Sequence, residues 1–204
     1  MNYSELKQAA EDWLNKPEIV EAVPTFIELA EARFNRELRL NAMMATQALT
    51  TTTATVPLPA DWLQHSSIVV TSPANVVSSL VYVSPDEYYD ILKNQMAGDP
   101  RYYTIINSDI VLYPAPGGTV DMEIAYYQKI PALSSGNPSN WLIARSPDLY
   151  LYATLLAAEP YLQNDARAPM WAASVQQIME AMRMESVRAS RPSGALSTRR
   201  RTFG

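Results

Sequence analysis

The hydrophobic period changes twice along this chain, and that change limits what it can fold into more than any other feature. Between Pro24 and Arg39 the apolar residues Ile27, Ala30, Phe34 and Leu38 recur at three- and four-residue intervals. Phe26 and Leu29 widen that face, while Glu28, Glu31, Arg33, Arg36, Glu37 and Arg39 are expected to cover the other side. The pattern is that of an amphipathic helix packed along one stripe, with Pro24 in its first turn. A shorter helix is expected before it, from a Ser4 N-cap to about Leu14, with Leu6, Ala10, Trp13 and Leu14 aligned. Asn15-Lys16-Pro17 breaks it.

At about Met44 the helical period is lost. Six threonines fall between Thr46 and Val56, and β-branched residues favour extended backbone. Strands are expected there and over Ser66–Thr71, Val76–Val83, Tyr102–Ile106, Ile110–Tyr113 and Thr119–Tyr127. Asn107-Ser108-Asp109 reads as a hairpin connection. Ser84-Pro85-Asp86-Glu87 combines an N-cap, a proline at N1 and a glutamate at N3, so one short helix interrupts the strands. Helical spacing returns after a polar loop that ends at Asn140. One helix starts at Ser146-Pro147-Asp148 and runs to Glu159. Another is capped by Asn164-Asp165 and buries Met170, Trp171, Val175, Ile178 and Met182.

The order implies an α+β fold. Residues 1–45 and 141–185 are expected to form an α-helical bundle. Residues 46–140 form a β-rich insertion with one short helix, and residues 186–204 form a basic, extended C-terminal tail.

Charge sharpens this division. The six arginines from Arg183 to Gly204 face one glutamate, a net of +5, while the remaining 10 basic and 20 acidic residues leave −10. An acidic body does not neutralise phosphate, which dominates non-specific DNA binding. The tail suits nucleic acid or an acidic protein surface.

Little in the sequence points to catalysis. There is no cysteine and one histidine, His65, so disulfides, thiolate clusters and multi-histidine metal sites are excluded. Phosphate-loop, dinucleotide and hydrolase motifs are missing, and Gly117-Gly118 precedes strand-forming residues rather than a helix. His65 lies near Asp61, Ser66 and Ser67, but neighbours along one strand seldom make a triad. Asp86, Glu87 and Asp90 fit a helix first turn better than an acid/base pair, and Asp99 and Asp109 fit turns. Tyrosine pairs such as Tyr88-Tyr89, Tyr102-Tyr103 and Tyr126-Tyr127 suit one residue in the core and one at an interface. We therefore expect no catalytic, cofactor-binding or metal-binding residues. No run of apolar residues is long enough for a membrane span, and Met1–Lys7 does not open as a signal peptide does.

Several segments, in order, resemble tailed-bacteriophage head-to-tail adaptor (connector) proteins. They are Trp13-Leu14-Asn15, the stretch from Val23 to Arg39, Leu58–Leu63, Pro100–Ile105, Leu112–Pro116, Asn140-Trp141-Leu142 and Pro147–Tyr152. The resemblance implies a structural virion protein, made in the host cytoplasm and located in the head-tail neck. Proteins of this family form a ring, commonly a dodecamer, beneath the portal protein. The ring extends the DNA channel, lets genomic DNA pass without sequence-specific binding, and carries downstream tail or nozzle proteins. Neighbouring adaptor subunits are therefore expected partners.

In several adaptors a C-terminal extension docks on the portal. By position, that assigns portal binding to the tail residues Arg188, Arg191, Arg199, Arg200, Arg201 and Phe203. The alternative from the residues alone is a DNA-binding accessory protein whose arginine-rich tail grips phosphate. A hydrolase using paired carboxylates is a third option that no spacing supports.

Overall fold

The computed structural model describes residues 1–72, 78–93, 98–162 and 166–190. The chain forms two compact units: Met1–Asn41 together with the chain from Ala132 onward, and Ala42–Pro131. Helices and two sheets make the fold α+β.

The first unit is helical. Helix α1 (Tyr3–Leu14) buries Leu6, Ala10 and Leu14. Its N-cap is Asn2 rather than Ser4. The Glu5 N–H donates to Asn2 Oδ1 at 2.9 Å, and the Asn2 N–H donates to a Glu5 carboxylate oxygen at 3.0 Å. This reciprocal box satisfies two orphan donors, which a serine followed three residues later by Lys7 cannot do. Asn2→Ala is expected to cost about 1 kcal/mol and Ser4→Ala nothing measurable, read from denaturant midpoints.

After a 3-10 segment at Pro17–Ala22 comes α2 (Val23–Glu37), which buries Phe26, Ile27, Ala30 and Phe34. Leu29, expected to widen that face, is 51% exposed. Glu31, expected on the solvent side, is buried.

The return segment leads to α4 (Trp141–Arg145), α5 (Pro147–Ala157), α6 (Glu159–Leu162) and α7 (Ala168–Ala189), α3 belonging to the second unit. α5 stops before Glu159, because Pro160 supplies no N–H to continue its bonding. The Asn164-Asp165 cap lies outside the described residues. On α7, Trp171, Val175, Met179 and Met182 make one buried stripe against α5, whereas Met170 faces outward. α7 reaches Ala189, so the start of the expected extended tail, including Arg188, is helical.

The second unit holds β1 (Met44–Thr51), β2 (Thr55–Pro57), β3 (Trp62–Val70), β4 (Ser78–Ser79) and β5 (Val81–Tyr82). These are followed by α3 (Pro85–Leu92), β6 (Tyr102–Ile106), β7 (Asp109–Tyr113) and β8 (Val120–Gln128). One sheet has the order β1-β8-β3-β4 and the other β2-β7-β6-β5. All pairs are antiparallel except β5 with β6. Both sheets contribute to one apolar cluster, including Ile68, Tyr103, Leu112, Met122 and Ile124.

The threonine run is two strands, one in each sheet, rather than one. Thr51 Oγ1 accepts from the Thr53 N–H at 3.0 Å, and a hydroxyl that captures backbone in this way ends the ladder. Asn107 and Ser108 both have positive φ, 52° and 68°, as a two-residue hairpin turn needs. Asp109, assigned to that turn from sequence, instead opens β7 opposite Ile106. Ser84 caps α3 as expected, accepting from the Glu87 N–H at 3.3 Å.

Candidate functional site

The residues that invited a catalytic reading have other partners in the structure. His65 on β3 stacks on Tyr82, ring centroids 4.8 Å apart, and meets Tyr103 edge-on at 5.8 Å. Loss of water around the imidazole lowers its pKa. Burial likewise raises the Tyr103 hydroxyl to about 12. Asp61 accepts instead from the Tyr126 hydroxyl, at 2.9 Å. Asp86, Glu87 and Asp90 are exposed on α3, with Asp90 paired to Lys93 at 2.6 Å. Gly117 and Gly118 lead into β8, so no helix N-terminus follows them. Asp99 is exposed and precedes β6, and Asp109 is in β7. Among the described residues no group of three or more histidines or carboxylates could hold a metal ion.

In each tyrosine pair one residue is buried, as the core half of the expectation requires. Tyr88, Tyr103 and Tyr126 are buried, and Tyr89, Tyr102 and Tyr127 are exposed or half-buried.

Of the tail residues, only Arg188 lies within the described structure. Arg188 is exposed on α7, while Arg191, Arg199, Arg200, Arg201 and Phe203 lie outside the described residues. The ground from which that segment leaves is firm. The Asn41 N–H donates to Ser186 Oγ at 2.9 Å. Asn41 Nδ2 donates to the Ser186 carbonyl at 3.1 Å and to Ser190 Oγ at 2.8 Å. The Ser186 carbonyl, which already accepts from the Ser190 N–H at 3.1 Å, thereby gains a further donor from Asn41. One turn earlier, Arg183 Nη2 donates to the Glu37 carbonyl at 3.0 Å. Arg183 is therefore part of the helical scaffold.

Sequence reasoning missed a buried carboxylate of the helical unit, Glu31. Glu31 Oε1 accepts from the Leu133 N–H at 2.8 Å and from the Tyr150 hydroxyl at 3.0 Å. Tyr150 Oη in turn accepts from Asn140 Nδ2 at 2.7 Å. Asn140 Oδ1 caps α4 by accepting from the Leu142 and Ile143 N–H groups. One chain of bonds thus links α2, the return segment, α4 and α5. The signal was present in the spacing: Glu31 lies four residues after Ile27 and three before Phe34, both on the buried stripe. Phe34 packs edge-on against Tyr150, ring centroids 5.1 Å apart.

Burial raises the Glu31 pKa above the ordinary 4.5, and the Leu133 and Tyr150 hydrogen bonds oppose the shift only in part. The folded state then holds its proton where the unfolded state has released it. This contribution to stability is full below pH 4.5 and is lost as pH rises through the raised value. The stability of the wild type relative to Glu31→Gln is expected to fall over that window, measured by denaturant unfolding at matched pH values.

What the arrangement offers is a braced helical scaffold and a β-rich unit. No curated protein matches the chain. The family model described as SU10 adaptor protein matches residues 1–201. Among the described residues no helix is long and apolar enough to cross a membrane. With a match over nearly its whole length, the chain belongs to the SU10 adaptor protein family, and as a phage adaptor it is a structural virion component that associates with other head and tail proteins.

Proposed function

We propose that this adaptor forms a ring of identical subunits, a dodecamer, beneath the portal protein, extends the DNA channel and joins head to tail. The observation that carries the reading is the family match over residues 1–201. A closed ring needs a heterologous interface, in which one surface meets a different surface on the neighbour. Two units of different architecture supply such surfaces.

The portal contact is proposed for Arg188, Arg191, Arg199, Arg200, Arg201 and Phe203. Arginine pairs with carboxylates in fork geometry, and an aromatic anchor near the end of the segment suits a pocket. The net −10 of the remaining chain suits a channel through which genomic DNA slides without being held. Downstream tail or nozzle proteins would bind the opposite side of the ring.

Light scattering coupled to chromatography tests this directly, on the chain alone and after mixing with portal rings. The expected result is a saturating complex with many copies per portal. No association at any ratio, with salt-sensitive retention of DNA instead, would favour a DNA-binding accessory protein and overturn the adaptor-ring reading.

A further inference from the structure

Between α5 and α7 lies an open groove of about 470 Å³. Tyr152, Ile178 and Met182 give it an apolar floor, and Asp148 and Glu185 are on its lining. Among the described residues that line it, two are carboxylates and none is basic. Arg145 meets Glu185 at 2.6 Å, so Asp148, Glu185 and Arg145 together sum to −1.

The segment that continues from α7 has the opposite character. Residues 191–204 carry four arginines and no acid, with Leu196 and Phe203 as the large apolar side chains. We propose that in the free protein this groove is occupied by the chain's own residues 195–203, folded back along α7.

The dimensions fit. At about 1.5 Å per helical residue, Glu185 lies roughly 8 Å and Ser174 roughly 24 Å back along α7 from Ser190. Pro192 cannot continue the helix, and Gly194 permits a reversal. From Ala195 to Thr202 an extended chain covers about 23 Å, the distance needed to bring Thr202 level with Ser174. Arg199, Arg200 and Arg201 then pass Asp148, while Leu196 and Phe203 cover apolar surface. This contact exists before any partner is met, so it stands or falls separately from the portal reading.

The natural chain has no cysteine, so Ser174→Cys and Thr202→Cys introduce a single pair of thiols. Oxidation of the full-length double variant at low concentration is expected to give a disulfide within one chain. Adding Asp148→Lys and Glu185→Lys is expected to lower its yield by about fivefold. A disulfide only between chains, no disulfide, or a yield indifferent to the charge reversal overturns the proposal. Should the paired variant fail to fold, the Met182 methyl NMR signal of the full chain decides. It is expected to shift when Arg199→Glu, Arg200→Glu and Arg201→Glu are combined, and an unmoved signal overturns the proposal.

Discussion

A chain ending at Ser190 is expected to keep its fold, its unfolding temperature lowered only by loss of the groove contact proposed above, and to lose attachment to the portal ring entirely. The two halves of this expectation have different origins. The fold survives because the last bonds between α7 and the rest of the helical unit, those of Asn41 with Ser186 and Ser190, lie inside the retained chain. Attachment is lost because Arg191, Arg199, Arg200, Arg201 and Phe203 are removed together, leaving only Arg188 of the proposed contact.

The position of the cut matters. A truncation before Ser186, where the sequence pattern fades, would strip Asn41 of all these partners and confuse a folding defect with a binding defect. Thermal unfolding and scattering mass, measured on the same preparation, separate the two. Undiminished attachment of the shortened chain would show that portal binding resides elsewhere.

Replacing Glu31 by alanine is expected to destabilise the helical unit by about 3–5 kcal/mol. Two donors lose their acceptor in the interior, the Leu133 N–H and the Tyr150 hydroxyl. Each unsatisfied group costs about 1–3 kcal/mol, and the emptied volume beside Phe34 adds to that. Against a typical domain stability of about 5–15 kcal/mol, this is a large fraction. Tyr150→Phe should cost less, because it takes an acceptor from one donor, Asn140 Nδ2, rather than from two. The double variant should be clearly non-additive, since both residues serve one network. Denaturant unfolding of the four proteins in the cycle reads the coupling. Additive costs would mean that the bonds are energetically independent.

Much of the local structure was legible because it is encoded within a few residues. Ser84-Pro85-Asp86-Glu87 specifies its helix start, and Asn107-Ser108 tolerates the positive φ that a tight hairpin requires. The stripe of Trp171, Val175 and Met182 is set by helical spacing alone. Asn2 and Ser4 show how a plausible local signal loses to a better one nearby, since only Asn2 has a glutamate at the reciprocal position.

Glu31 shows a different kind of failure. Its partners lie 102 and 119 residues away, so no window of sequence contains the reason for burying it. A carboxylate on an apolar stripe then reads as a solvent-facing residue. The candidate site was legible as composition only: the basic segment can be read by eye, but its partner surface belongs to long-range structure.

The Asn41 latch has a mechanical consequence. Tension applied to the segment beyond Ser190, as when neck components are pulled apart, enters α7 at its last turn. There the side chain and backbone of Asn41 share the load across several hydrogen bonds in parallel. The force passes into the polypeptide beside the peptide bond that joins the helical unit to the β-rich one. A pull on the tail thus meets the Asn41 bonds before it reaches the buried stripe of α7.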